Sequence, residues 1–245
     1  MSDIPKFILD SKRISFDEKV HKYTLDGKEL ISVTTLISQF AEEFDKTGEI
    51  LTKCAVREGV SEKVLQNKWR KKGELAATKG KLWHATAEEY IKTGKIRKNK
   101  FTPILTQFIR DFRFKGKLYP ECILFDPELM ISGTADLVQI IDNKICQIQD
   151  YKCLEKRPTD FGFKRTMLPP VSHLSDSKIS KFSLQISFYL YILHSIYGYE
   201  IGDNNNIFWV DWQNDRIEKI PIELKLNEVV SMIAAYSYQK SLAEN

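Results

Sequence analysis

The residues best suited to chemistry sit on one predicted hairpin. Gly133-Thr-Ala-Asp-Leu-Val-Gln-Ile-Ile141 is followed by Asp142-Asn143 and then by Lys144-Ile-Cys-Gln-Ile-Gln-Asp-Tyr-Lys152. Side chains alternate between faces along a strand. A three-residue turn at 142–144 pairs Ile141 with Ile145 and Asp136 with Asp150. One face then carries Asp136, Val138, Ile140, Cys146, Ile148, Asp150 and Lys152, and the other Leu137, Gln139, Gln147, Gln149 and Tyr151. A two-residue turn would mix these sets. Register follows the hydrophobic pattern, which favours the three-residue turn.

This register sets two carboxylates side by side at the end of an apolar face, with a lysine next to them. Like charges directly opposite in a sheet destabilise it, and ionised carboxylates near an apolar interior are costly unless compensated. A shared proton, an ion pair with Lys152 or a divalent cation would each compensate. Hard oxygen ligands suit Mg²⁺ or Mn²⁺. The competing reading is a surface acidic pair with a lysine partner.

Asp136 followed by Asp150-x-Lys152 resembles the PD-(D/E)XK nuclease superfamily. The surroundings resemble its RecB-type exonuclease branch, which includes helicase-linked nuclease domains, CRISPR-adaptation nucleases and the mitochondrial genome-maintenance exonuclease. Four segments match in order: Tyr23-Thr-Leu-Asp-Gly27 with Ser32-Val-Thr34, Gly80-Lys-Leu-Trp-His84 with Glu88 one turn on, Gly133-Thr-Ala-Asp136, and Gln185-Ile-Ser-Phe-Tyr189. They cover about residues 20 to 190. Each motif is weak alone, and their joint order is the specific signal.

The resemblance implies a restriction-endonuclease-like α/β fold and Mg²⁺- or Mn²⁺-dependent hydrolysis of DNA, in the exonuclease mode on single-stranded or end-bearing DNA. It implies that Asp136 and Asp150 bind metal, with the Tyr151 carbonyl and His84 as further ligands. Lys152 would orient or deprotonate the attacking water, or stabilise the pentavalent state. Glu88, at i+4, would position His84 or face solvent. Glu121 is a candidate third carboxylate. Gln185 and Tyr189, one helical turn apart, would meet substrate phosphate or hold Lys152. Basic residues flanking the His84 helix (Lys68, Arg70, Lys71, Lys72, Arg97, Lys98) and Lys164 and Arg165 in a later loop would track DNA phosphates. Arg110, Arg113, Lys115 and Lys117 would extend that surface. Alternatives on the same core are a restriction-type endonuclease and a catalytically inactive DNA-binding protein. Replication, recombination or repair is the expected setting, with a helicase or recombination partner on a separate chain.

Elements must hold these groups. Residues 13–31 read as an N-terminal hairpin around Asp26-Gly27, and Ser32 as the N-cap of a helix. Residues 45–92 read as mostly helical with breaks near Gly59 and Gly73, and 102–114 as a further helix. Strands are expected at 118–125, 129–141, 144–152, 206–212 and 215–221, helices at 178–198 and 224–243, and a long loop at 155–176. This is a mixed α/β sheet flanked by helices: a single domain of residues 1–245, with a hairpin and helical part (1–117) and a catalytic sheet (118–245). His21, His173 and His194 lack metal-ligand spacing. Trp209 and Trp212 are expected to pack on the last two strands.

Composition bounds the rest. The 245 residues are 42% hydrophobic and 11% aromatic, enough for a sizeable core. Lys plus Arg total 37 against 33 Asp plus Glu, and a net charge of +4 identifies no partner by itself. No run of about 18 apolar residues suggests a membrane span. No secretory signal is evident at the start, so an intracellular soluble protein of cytoplasm or nucleoid, or a virus-encoded one, is expected. The four cysteines form no CxxC pair, and none follows Cys153. No iron–sulfur cluster is therefore expected, and no GxxxxGK[ST] motor motif is present.

Overall fold

A computed structural model describes residues 4–20, 22–42, 47–161 and 165–243. Its described elements are a mixed sheet of nine strands and seven α-helices in one α/β arrangement. The chain opens with α1 (Lys6–Asp10) and a three-stranded meander of β1 (Ile14–Asp17), β2 (Lys22–Leu25) and β3 (Lys28–Ser32). Asp26 and Gly27 both have positive φ, 50° and 80°, which is what a two-residue turn between twisted strands requires. The predicted hairpin thus gains a strand, β1, whose pairs with β2 run from Ile14↔Leu25 to Asp17↔Lys22.

Helix α2 (Val33–Gln39) follows, with the Ser32 hydroxyl accepting the Thr35 N–H at 3.0 Å as its cap. Helices α3 (Glu49–Glu58), α4 (Glu62–Thr93) and α5 (Thr102–Asp111) come next. Gly59 ends α3 in the left-handed conformation. Gly73 ends nothing: α4 runs through it for 32 residues. A helical glycine costs about 1 kcal/mol, and the flanking Lys71, Lys72, Glu74, Leu75, Ala76 and Ala77 are all good helix formers. Strands β4 (Lys117–Asp126), β5 (Ile131–Ile141) and β6 (Ile145–Lys152) precede a long segment whose described residues form no helix or named strand. Helix α6 (Lys178–Ser195), strands β7 (Glu200–Ile201), β8 (Asn206–Asp211) and β9 (Arg216–Pro221), and α7 (Leu226–Ala243) complete the chain.

The sheet runs β1-β2-β3-β5-β6-β8-β9, with β4 added to β5 and β7 to β6. The β5–β6 register is the predicted one from Ile141↔Ile145 to Leu137↔Gln149, but the ladder ends there, one residue short of the expected Asp136–Asp150 pair. Both faces are covered. Val138, Ile140, Cys146 and Ile148 pack with α2, α6 and α7, while Leu137, Tyr151 and Phe208 pack with Trp83, Ile104 and Phe108 of α4 and α5. The glutamine face is therefore interior as well. Gln139 donates to the Lys115 carbonyl and Gln149 to that of Asn204, which offsets the cost of burying these amides.

One feature of β5 positions the site. β4 pairs along it from Ile131 to Ile140, occupying one edge. The other edge is shared: parallel β3 pairs with Ile131 and Ser132, and antiparallel β6 with Leu137 to Ile141. Residues 133–136 lie between them, where β3 and β6 diverge.

Candidate metal centre

Asp136 lies at this fork. Its Oδ2 accepts the Tyr151 N–H of β6 at 2.7 Å, so the carboxylate spans the gap and ties it to the neighbouring strand. Its Oδ1 lies 3.5 Å from Nδ1 of His84 on α4. The same Nδ1 is 3.0 Å from Glu121 Oε1 on β4. Ligand atoms of His84, Glu121 and Asp136 all fall within 4.8 Å of one another, so the three could hold a metal ion. Two carboxylates and one imidazole form a coherent donor set for a divalent cation.

Glu121 reaches this position through its backbone. Its φ is 50°, rare for a residue with a Cβ. The flanking pairs Pro120↔Leu137 and Cys122↔Ala135 keep one register across it, so Glu121 stands across from Asp136. Such conformations cost about 1–3 kcal/mol and concentrate where function needs them.

Asp150 and Lys152 form the second half of the site. Lys152 Nζ is 2.6 Å from Asp150 Oδ2 and donates to Gln185 Oε1 at 3.2 Å. Gln185 Nε2 in turn donates to the Tyr189 hydroxyl at 3.2 Å. The ammonium also lies 4.7 Å from the centre of the Phe182 ring. Asp150 Oδ1 is buried with no hydrogen-bond partner. Gly133 makes room for this arrangement, because a Cβ there would meet the Tyr189 ring at 2.8 Å. Tyr23 closes the opposite side through a 3.0 Å hydrogen bond between its hydroxyl and that of Thr134. His84, Glu121, Asp136, Gln185, Tyr189 and Tyr23 line a cavity of about 310 Å³.

The electrostatics follow from burial among like and unlike charges. Burial disfavours the His84 imidazolium, but Asp136, Glu121 and Asp150 outweigh it and push its pKa up to about 9. Burial raises Asp136 despite His84 and Lys152. Burial likewise raises Asp150, partly offset by Lys152 and reinforced by Asp136, to about 6. Lys152 is opposed by burial, yet Asp150 and Asp136 carry its pKa above the usual lysine range. Carboxylates this costly to ionise gain from a nearby cation.

The sequence expectations fare unequally. His84, Asp136, Asp150, Lys152, Gln185 and Tyr189 come to one place, and Glu121 joins them as a partner of His84. Glu88 does not position His84: it lies 2.5 Å from Lys92 and belongs to the helix surface. The Tyr151 ring packs in the core beneath α4 and stands edge-on to the His84 ring, with centroids 5.8 Å apart. The Tyr151 N–H faces Asp136, and the carbonyl of a strand residue faces the same edge as its N–H. His173 contacts Glu228, and His194 Nδ1 the Tyr199 carbonyl, and neither lines the cavity. His21 and Lys164 lie outside the described residues.

The basic clusters are largely ion-paired. Lys68 pairs with Glu58, Arg70 with Glu74, Lys72 with Glu155, Arg97 with Glu89, and Arg165 with Glu42. Exposed pairs of this kind contribute about 0–1 kcal/mol. Lys71 and Lys98 are exposed. Lys81 and Glu18, which sequence patterns did not single out, pair at 2.7 Å on the cavity wall.

All four cysteines are free, three of them buried. No described helix is long and apolar enough to cross a membrane. Comparison with protein-family models and with curated protein sequences finds no match.

Proposed function

We propose that the protein is a metal-dependent DNA nuclease of the PD-(D/E)XK type with a restriction-endonuclease-like core, working as an exonuclease on single-stranded or end-bearing DNA. The observation that carries this reading is the convergence of the His84–Glu121–Asp136 group and the Asp150–Lys152 pair at one fork in the sheet. The motif resemblance independently names the same residues.

Phosphodiester hydrolysis needs an activated water and compensation for negative charge gathering on phosphorus. A bound Mg²⁺ or Mn²⁺ supplies both, lowering the pKa of water and drawing charge from the phosphate oxygens. His84, Glu121 and Asp136 would hold it. Asp150 offers a further oxygen, Oδ1, which has no protein partner, and the Tyr151 carbonyl faces the same edge. Lys152 is a donor-only ammonium held between Asp150 and Gln185. That favours stabilising the pentavalent phosphorus or orienting the water over accepting a proton. Gln185 and Tyr189 are positioning residues for Lys152. The exonuclease mode, the place in replication, recombination or repair, and a separate helicase or recombination partner rest on the resemblance alone.

The test is digestion of end-labelled single-stranded, duplex, flapped and circular DNA with Mg²⁺ and with Mn²⁺. Degradation of end-bearing DNA alone is expected. Cutting of circular duplex would replace the exonuclease mode with an endonuclease. Full activity of Asp150→Ala would sink the assignment.

A further inference from the structure

A second cavity lies across α4 from the metal centre. Lys79 and Lys81 are two residues apart, so they point to opposite sides of the helix. Lys81 lines the metal-site cavity, and Lys79 lines a separate cavity of about 230 Å³ with Lys100, Phe101, Trp212 and Asp215. This pocket combines two features that call for an anion. Two ammonium groups converge on it. Asp215 borders it, yet neither ammonium is ion-paired with it or with any other described carboxylate. Trp212 lines it as well, with its indole Nε1–H enclosed by protein.

Burial, and next the nearby Lys100, lowers the pKa of Lys79, so these cations are mutually unfavourable as they stand. Lys79 lies over the Trp212 ring, which fixes its ammonium at the pocket wall. Phe101 is buried and closes the floor.

We infer that this cavity is a phosphate-binding subsite, filled by a backbone phosphate of a nucleic-acid strand that crosses α4 from the metal centre. A phosphate group provides oxygens for both ammonium groups at once. The aromatic face is already covered by Lys79, so the subsite takes phosphate rather than a stacked base. It is independent of sequence, as a strand-tracking contact must be. The strand as the source of the phosphate rests on the nuclease reading.

Two measurements on the metal-free full chain test this. In the first, ¹⁵N-labelled protein is titrated with inorganic phosphate, and the indole N–H resonance of Trp212 is followed, assigned by its loss in Trp212→Phe. A saturable shift is expected, absent in the Lys79→Gln, Lys100→Gln double variant. In the second, a labelled single-stranded oligonucleotide is bound across a salt series. The double variant is expected to show a log K against log [salt] slope shallower by about 0.7, for the one phosphate no longer neutralised. Absence of a saturable indole shift would overturn the pocket. A shift with an unchanged slope would overturn the strand and assign the pocket to a small free phosphate. If wild-type protein binds no oligonucleotide, the nuclease reading fails and the phosphate titration alone decides the pocket.

Discussion

Gly133 and Tyr189 touch with no space for a methyl group between them: a Cβ on residue 133 would stand 2.8 Å from the Tyr189 ring and 2.9 Å from its hydroxyl. Tyr189 is fully enclosed and holds Gln185, which holds Lys152. Gly133→Ala is therefore expected to displace a chain of three side chains that ends at the ammonium group. Overpacking of this kind costs about 1–3 kcal/mol. The variant should melt several degrees lower yet fold, and its kcat should fall well beyond the loss of folded protein. Thermal melts paired with DNA-digestion rates below the melting range check this.

Removing ligands should separate binding from turnover. Glu121→Ala and His84→Ala are each expected to weaken Mn²⁺ binding at least tenfold, since each deletes one of three converging donors. Lys152→Ala should leave Mn²⁺ affinity within a fewfold of wild type and lower kcat by about 10² to 10³. Calorimetric titration with Mn²⁺ and single-turnover digestion distinguish the two classes. Equal loss of metal affinity in all three variants would contradict the division of labour.

The imidazole should bias metal choice. Oxygen-only sites suit Mg²⁺, whereas a nitrogen donor favours metals later in the first row. Activity is expected to be higher with Mn²⁺ than with Mg²⁺ at equal concentration. His84→Asp should narrow that ratio, read from digestion rates over a concentration series of each ion.

His84 also predicts a pH-dependent contribution to stability in the presence of a chelator. Its folded pKa, about 9, lies above the ordinary value of 6.5. A raised cationic group stabilises the fold fully below the unfolded pKa and loses that contribution as pH rises through the folded one. Wild type should therefore exceed His84→Gln in Tm most at pH 6, and the gap should shrink between about pH 6.5 and 9. Denaturation series for both proteins measure it, and a gap that widens with pH would contradict the assignment.

What is legible in the sequence is what depends on short-range pattern. The 142–144 turn and its register follow from strict alternation in β5 and β6, and they bring Asp136 beside Asp150 without any tertiary information. Glu121 is less legible, because its role depends on a positive φ and on a partner 37 residues away. Glu88 shows the opposite limit: i+4 spacing places it near His84 on the helix but cannot show that Lys92 claims it. Gly73 misleads for a related reason, since a local helix penalty is outweighed by its neighbours. The links from Tyr23 to Thr134 and from Gly133 to Tyr189 are purely tertiary and leave no periodic trace.

The fork in β5 has a mechanical consequence. The N-terminal meander joins the remaining structure through two strand pairs, Ile31↔Ile131 and Ser32↔Ser132, the Tyr23–Thr134 hydroxyl contact, the Glu18–Lys81 ion pair, and an apolar cluster of Ile14, Tyr23, Leu25 and Leu30 with Phe125. Its main-chain attachment is narrow, and Tyr23 and Glu18 line the same cavity as His84. Loosening it breaks few main-chain bonds but uncovers that apolar cluster, while the donors on α4, β4 and β5 sit on other elements. Movement of the meander is thus separable from assembly of the candidate metal ligands, and amide protons of β2 and β3 should exchange with solvent before those of β5 and β6.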